Sequence, residues 1–115
     1  MADIEIGAIV WGVQDVYRAV DFWTKALGYR LKYPAKDDWA ILVPESGQGI
    51  QLSINRVTSL KARRHHIDLF AQDREKEVKR LLELGAKLKA WNYDEDADYT
   101  VLTDPEGNPF CVVQI

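Results

Sequence analysis

From Ile4 the run IEIGAIVWGV is apolar at most positions, the pattern of a strand covered on both faces. Gln14-Asp15 closes it, and Asp15 is suited to cap a helix. Val16, Ala19, Val20, Trp23, Ala26 and Leu27 then recur at helical spacing, while Arg18, Asp21 and Lys25 take other sides. This predicts an amphipathic helix of about three turns, with Gly28 as its left-handed stop. Residues 29–33, 39–43 and 50–55 read as three strands, separated by Lys36-Asp37-Asp38 and by the turn that begins at Pro44.

The same order then repeats. Residues 66–71 read as a strand and residues 73–84 as a helix with Val78, Leu81 and Leu82 inward. Further strands are expected at 87–91, 99–103 and 110–115. Gln14-Asp15, Leu27-Gly28 and Leu31-Lys32 recur as Gln72-Asp73, Leu84-Gly85 and Leu88-Lys89. Trp39, Ile41 and Leu42 find counterparts in Tyr99, Val101 and Leu102, and Pro44-Glu45 in Pro105-Glu106. The chain is therefore two copies of one strand-helix-three-strand unit, with module 1 at 4–56, a linker at 57–63 and module 2 at 64–115. One helix on each four-stranded, largely antiparallel sheet makes an α+β domain, and the pairing predicts a cavity between the modules.

Strand alternation assigns the faces. Ile67 and Leu69 are expected toward the helix, leaving His66, Asp68 and Phe70 for the cavity. Ile50, Leu52 and Ile54 likewise leave Gln51, Ser53 and Asn55. In the last strand Phe110 and Val112 point inward, and Cys111, Val113 and Ile115 face the cavity. Trp39, Trp91, Tyr93 and Tyr99 lie beside its expected mouth, whereas Trp23 belongs to the buried helix stripe. His65 points away from His66 and cannot chelate with it.

Composition narrows the function. At 115 residues, 47% hydrophobic and 29% charged, the chain reads as one ordinary globular domain. A net charge of -3 gives no support to nucleic-acid binding. No apolar stretch approaches the roughly 20 residues that span a bilayer, and Asp3 and Glu5 stand where a signal peptide is basic, so a cytoplasmic location is expected. With Cys111 as the single cysteine, no intramolecular disulfide forms. The acidic run 94–98 reads as a solvated loop or an attractor of cations; Arg56, Lys61, Arg63 and Arg64 read as a solvated connector or a clamp for an anion.

The repeat, the segment VQDVYRAVDFWTKALGY and the ending LTDPEGNPFCVVQI together resemble the vicinal oxygen chelate superfamily, the glyoxalase, bleomycin-resistance and extradiol-dioxygenase group. The likeness covers essentially the whole chain and is strongest to its small glyoxalase-like branch. It implies tandem βαβββ modules, a homodimer and a cavity formed by modules. Metal-dependent members take His, Gln or Glu ligands from four strand positions, which correspond here to Ala8, Gln51, His66 and Cys111. Ala8 matches His66 in the repeat, and Gln51 matches Cys111. Ala8 has no donor atom, Gln51 offers a neutral amide oxygen, and Cys111 favours a softer ion than these enzymes use.

The expectation is therefore a cavity without a metal, where a small organic molecule contacts Trp39, Gln51, Ser53, Asn55, His66, Phe70, Trp91, Tyr99 and Cys111. If a metal is held, His66, Gln51 and Cys111 are its ligands, with Asp68 as a neighbour able to join them and Zn, Ni, Mn or Fe as the ion. An enzymatic alternative makes the protein a lyase or isomerase of the lactoylglutathione lyase type, or a related dioxygenase, with His66 and Asp68 as catalytic residues. A third reading makes the cavity vestigial and the fold an interaction module.

Overall fold

The computed structural model describes residues 2–59, 61 and 65–115, so Arg63 and Arg64 of the basic stretch lie outside the described residues. The elements run β1 (Ile4–Val13), α1 (Val16–Leu27), β2 (Tyr29–Leu31), β3 (Trp39–Pro44) and β4 (Gln51–Arg56), then β5 (His66–Ala71), α2 (Arg74–Glu83), β6 (Lys87–Leu88), β7 (Tyr99–Thr103) and β8 (Pro109–Gln114). Two compact units result. The first is Gly7–His65, and the second joins the N-terminal residues through Ile6 to His66–Ile115. Each is a mixed sheet with one helix, the α+β βαβββ arrangement, and the strand-helix-strand order expected from the repeat is present in both.

In the first unit the strand order is β2-β3-β4-β1. β1 runs parallel to β4, with Ala8 beside Gln51, Val10 beside Ser53 and Gly12 beside Asn55. β4 pairs antiparallel with β3, and β3 with β2. Asp15 caps α1 by accepting the Arg18 N–H at 3.1 Å, and Gly28 ends it at φ 67°, a conformation that glycine adopts without strain. Val16, Ala40, Leu42, Leu52 and Ile54 form the buried core, and Ala19, Val20 and Trp23 of α1 pack against it. The expected helix stripe is thus correct over its first two turns, whereas Leu27 is exposed.

The second unit has the order β5-β8-β7-β6, with β5 parallel to β8 and the two remaining pairings antiparallel. Asp73 caps α2 by accepting the Lys76 N–H at 3.1 Å. The buried core here is smaller: Ala71, Leu102 and Val112, flanked by Ile4, Val78, Leu81, Ala86 and Phe110. Leu82, expected inward, is exposed, and so are Ile50 and Ile67. Ile50 precedes the first paired residue of β4, so strand alternation does not yet constrain it. The strand expected at 87–91 pairs only over Lys87–Leu88.

α2 also buries Glu77, 1% exposed, at the place where α1 carries Ala19. Its Oε1 accepts two hydrogen bonds from Arg80, at 3.0 and 2.8 Å, while Oε2 has no partner among the described residues. A buried, half-paired carboxylate replaces apolar packing in the second helix.

The turn before β8 is built on Asp104. Its Oδ1 accepts the backbone N–H groups of Glu106 and Asn108, both at 2.9 Å, and its Oδ2 accepts the Asn108 side-chain amide at 3.0 Å. These bonds, the Asn108 side chain foremost, hold the carboxyl below the usual aspartate value.

Two predictions follow from these contacts. Leu42 and Leu102 are each fully buried at matched positions of the repeat, and replacing either by Ala should cost about 2–5 kcal/mol in denaturant unfolding. Because the folded-state pKa of Asp104 is depressed, its contribution to stability is present above the unfolded value and is lost as pH falls through the folded one. Asn108→Ala should raise that pKa toward the ordinary value in an NMR titration; an unchanged titration would refute this account of the turn.

Candidate functional site

His66 and Asp68 lie two residues apart on β5 and so point to the same face of the sheet. His66 Nε2 stands 3.4 Å from Asp68 Oδ1, and their side chains are 23% and 20% exposed. The parallel ladder to β8 sets Asp68 directly beside Cys111. Adjacent strands lie about 4.8 Å apart and side chains at paired positions share a face, so the thiol joins the imidazole and the carboxylate. One donor atom from each of His66, Asp68 and Cys111 lies within 4.8 Å of the other two. Cys111 is a free, half-buried cysteine. An imidazole, a carboxylate and a thiol on one face can bind an organic ligand through polar contacts, move a proton, or hold a cation.

The other candidate residues fall into separate groups. In the first unit, Gln51 and Ser53 are half-buried and Asn55 is exposed, on the β4 face away from the core residues Leu52 and Ile54. Trp39 pairs across the ladder with Asn55 and meets Tyr33 edge-on at 6.4 Å. In the second unit Trp91 and Tyr99 come together: the indole N–H donates to the Tyr99 hydroxyl at 3.2 Å, and the Tyr93 ring lies 5.5 Å from that of Tyr99. These three aromatics line a cavity of about 570 Å³ with Arg74, Lys89 and Asp94. Phe70 lines another, of about 540 Å³, with Ile4, Lys76, Glu77 and Ile115. The acidic run 94–98 forms a turn in which the Ala97 N–H bonds the Asp94 carbonyl at 3.1 Å.

The metal positions implied by the resemblance can be tested against the side chains present. Ala8 is 2% exposed and brings a methyl group where a donor is needed. Gln51 lies beside it on β4. The four-position set of nitrogen and oxygen ligands therefore does not fit this chain. The donors that do converge, His66, Asp68 and Cys111, belong to one unit and include a thiol.

His65 has a place that strand parity alone does not reveal. It precedes β5, stacks on Trp11 with ring centroids 3.9 Å apart and planes 5° from parallel, and its Nδ1 accepts the Gly12 N–H at 3.1 Å. Together with Arg18, Phe22 and Trp23 these residues line a cavity of about 590 Å³ in the first unit. Of the aromatics gathered here the sequence places Trp23 on the buried helix stripe, and no local pattern marks the pairing of Trp11 with His65.

The sequence profile of the glyoxalase-like domain family matches residues 8–113. No functionally curated protein matches the chain. Among solved structures, a hypothetical protein from Bacillus halodurans C-125 is similar at 12% identity and TM-score 0.72, covering 99% of this chain and 96% of that one. Methylmalonyl-CoA epimerase from Mycobacterium tuberculosis is similar at 16% identity and TM-score 0.68, covering 95% and 86% of the two chains. A glyoxalase/bleomycin resistance protein/dioxygenase superfamily member from Vibrio splendidus 12B01 follows at 16% identity and TM-score 0.65, covering 97% and 99%. At such identities the likeness is one of fold.

The Trp11–His65 contact should be structural: His65→Ala removes a stacked ring and the acceptor for Gly12, and should lower unfolding stability by about 1 kcal/mol. Equal stability of the variant and the parent in denaturant would assign that stack no energetic weight.

Proposed function

The chain belongs to the glyoxalase-like domain family, and on that premise we propose that it binds a small organic molecule bearing a carbonyl or similar oxygen function at the sheet face formed by β5 and β8. The observation that carries this reading is the convergence of His66, Asp68 and Cys111 on one half-buried face. A ligand oxygen accepts from the imidazole, a ligand hydroxyl or amide donates to Asp68, and Phe70, two residues beyond Asp68 on the same strand face, offers an apolar contact. The matched face of the first unit carries Gln51, Ser53 and Asn55, polar groups that suit the same class of ligand.

A second reading, an enzyme acting on a carbonyl compound as a lyase or isomerase, is favoured by the His66–Asp68 pair. An imidazole beside a carboxylate is equipped to take a proton from a carbon next to a carbonyl and return it. The proposal also includes a cytoplasmic homodimer. Among the described residues no helix is long and apolar enough to cross a membrane, and light scattering on the purified protein measures the assembly.

The test is a thermal-shift panel of small carbonyl compounds, acyl thioesters and glutathione adducts, followed by turnover assays on the compounds that stabilise. His66→Ala separates the two readings. A binder keeps affinity within roughly tenfold, whereas an enzyme loses about 100-fold or more in kcat/KM. If no compound shifts the melting temperature and none is turned over, binding of this ligand class is wrong.

A further inference from the structure

We propose that His66, Asp68 and Cys111 hold a thiophilic divalent ion of the zinc type within the second unit alone. The inference rests on the reading of this face as the functional site and names a further component of it. It differs from the ligand set implied by the resemblance in two ways: Asp68 is not one of those four positions, and Ala8 supplies nothing.

Three observations support it. The first is spacing. Zinc takes nitrogen and oxygen ligands at about 2.0–2.2 Å and sulfur at about 2.3 Å, so the edges of a tetrahedral site are roughly 3.3–3.7 Å long. The His66 Nε2 to Asp68 Oδ1 separation, 3.4 Å, already equals such an edge. The remaining separations, within 4.8 Å, close by small changes of side-chain torsion. The second is backbone rigidity. Asp68 and Cys111 are register partners in paired strands, and His66 opens the same strand β5 two residues before Asp68.

The third is chemistry. A carboxylate and a thiolate bring two negative charges to a divalent ion, and a neutral imidazole completes a donor set typical of zinc. The thiolate disfavours magnesium, calcium and manganese, which prefer oxygen. Three protein ligands leave a coordination position for a ligand oxygen, and an ion so held polarises a carbonyl placed there.

Cys111 is the single cysteine, so sulfur chemistry reports on this site alone. Full-length protein, stripped with chelator and kept reduced, is titrated with cobalt(II) and then zinc(II). The expected result is one ion per chain, a thiolate-to-cobalt charge-transfer band that zinc displaces, and protection of Cys111 from iodoacetamide by zinc. Cys111→Ser should abolish the band, and Asp68→Asn should weaken zinc binding by at least about tenfold, the scale set by loss of even an outer partner. Gln51→Ala should leave stoichiometry and band unchanged. Wild-type protein that shows neither the band nor zinc protection overturns the proposal, as does loss of the ion in Gln51→Ala.

The alkylation readout uses unaltered protein, so a variant that fails to fold does not decide the matter. Melting shifts by organic compounds in excess chelator, without zinc binding, would sink the metal site and leave the ligand reading standing. Stoichiometric zinc with the thiolate band, but no organic ligand in the panel, would do the reverse.

Discussion

In each unit a single helix packs on one face of the strands, and which row a strand residue joins governs what it can be. The rows turned to the helices are apolar and closed: Leu52 and Ile54 under α1, Leu102 and Val112 under α2. The opposite rows mix small buried aliphatics, Ala8, Val10 and Val101, with half-buried polar groups, Gln51, Ser53, His66, Asp68 and Cys111. A half-buried polar side chain loses water without gaining apolar contacts, so it persists where partners or ligands satisfy it. The polar residues of these rows are thus where ligand chemistry is expected, while the helix-facing rows supply the fold.

Much of this was legible in the residues, because short-range rules decide it. Asp15 and Asp73 cap helices through hydrogen bonds that span three residues, and matched Leu42 and Leu102 are both fully buried. Placing His66 and Asp68 on one face needed only the period of a strand. Adding Cys111 beside Asp68 needed the register of two strands 43 residues apart, which follows from long-range pairing and packing rather than from any local pattern. Parity therefore nominated Cys111 for the right face but could not name its neighbour. Nor could it find the stack of His65 on Trp11, which depends on a segment leaving strand geometry. The short β6 and the exposed Ile67 show the same limit: hydrophobicity suggested a longer strand and a core position that the structure does not have.

The repeat is closer in backbone than in energetics. α1 presents Val16, Ala19, Val20 and Trp23 to the buried strand residues Ala40, Leu42, Leu52 and Ile54, whereas α2 presents Val78 and Leu81 to Ala71, Leu102 and Val112 and buries Glu77 where α1 has Ala19. Glu77 Oε2, without a partner among the described residues, carries a desolvation penalty that a methyl group avoids. Shared topology thus does not dictate what each helix buries.

The unit that carries His66, Asp68 and Cys111 is also the one with the thinner apolar support. Local opening is cheapest where apolar packing is sparse, so the chemically equipped half is the half most ready to breathe. Its donors sit on two paired strands, β5 and β8. A ligand held by these donors would therefore act as a fastener for the half with the smaller apolar core, and the protein's lifetime under stress would then gauge its occupancy.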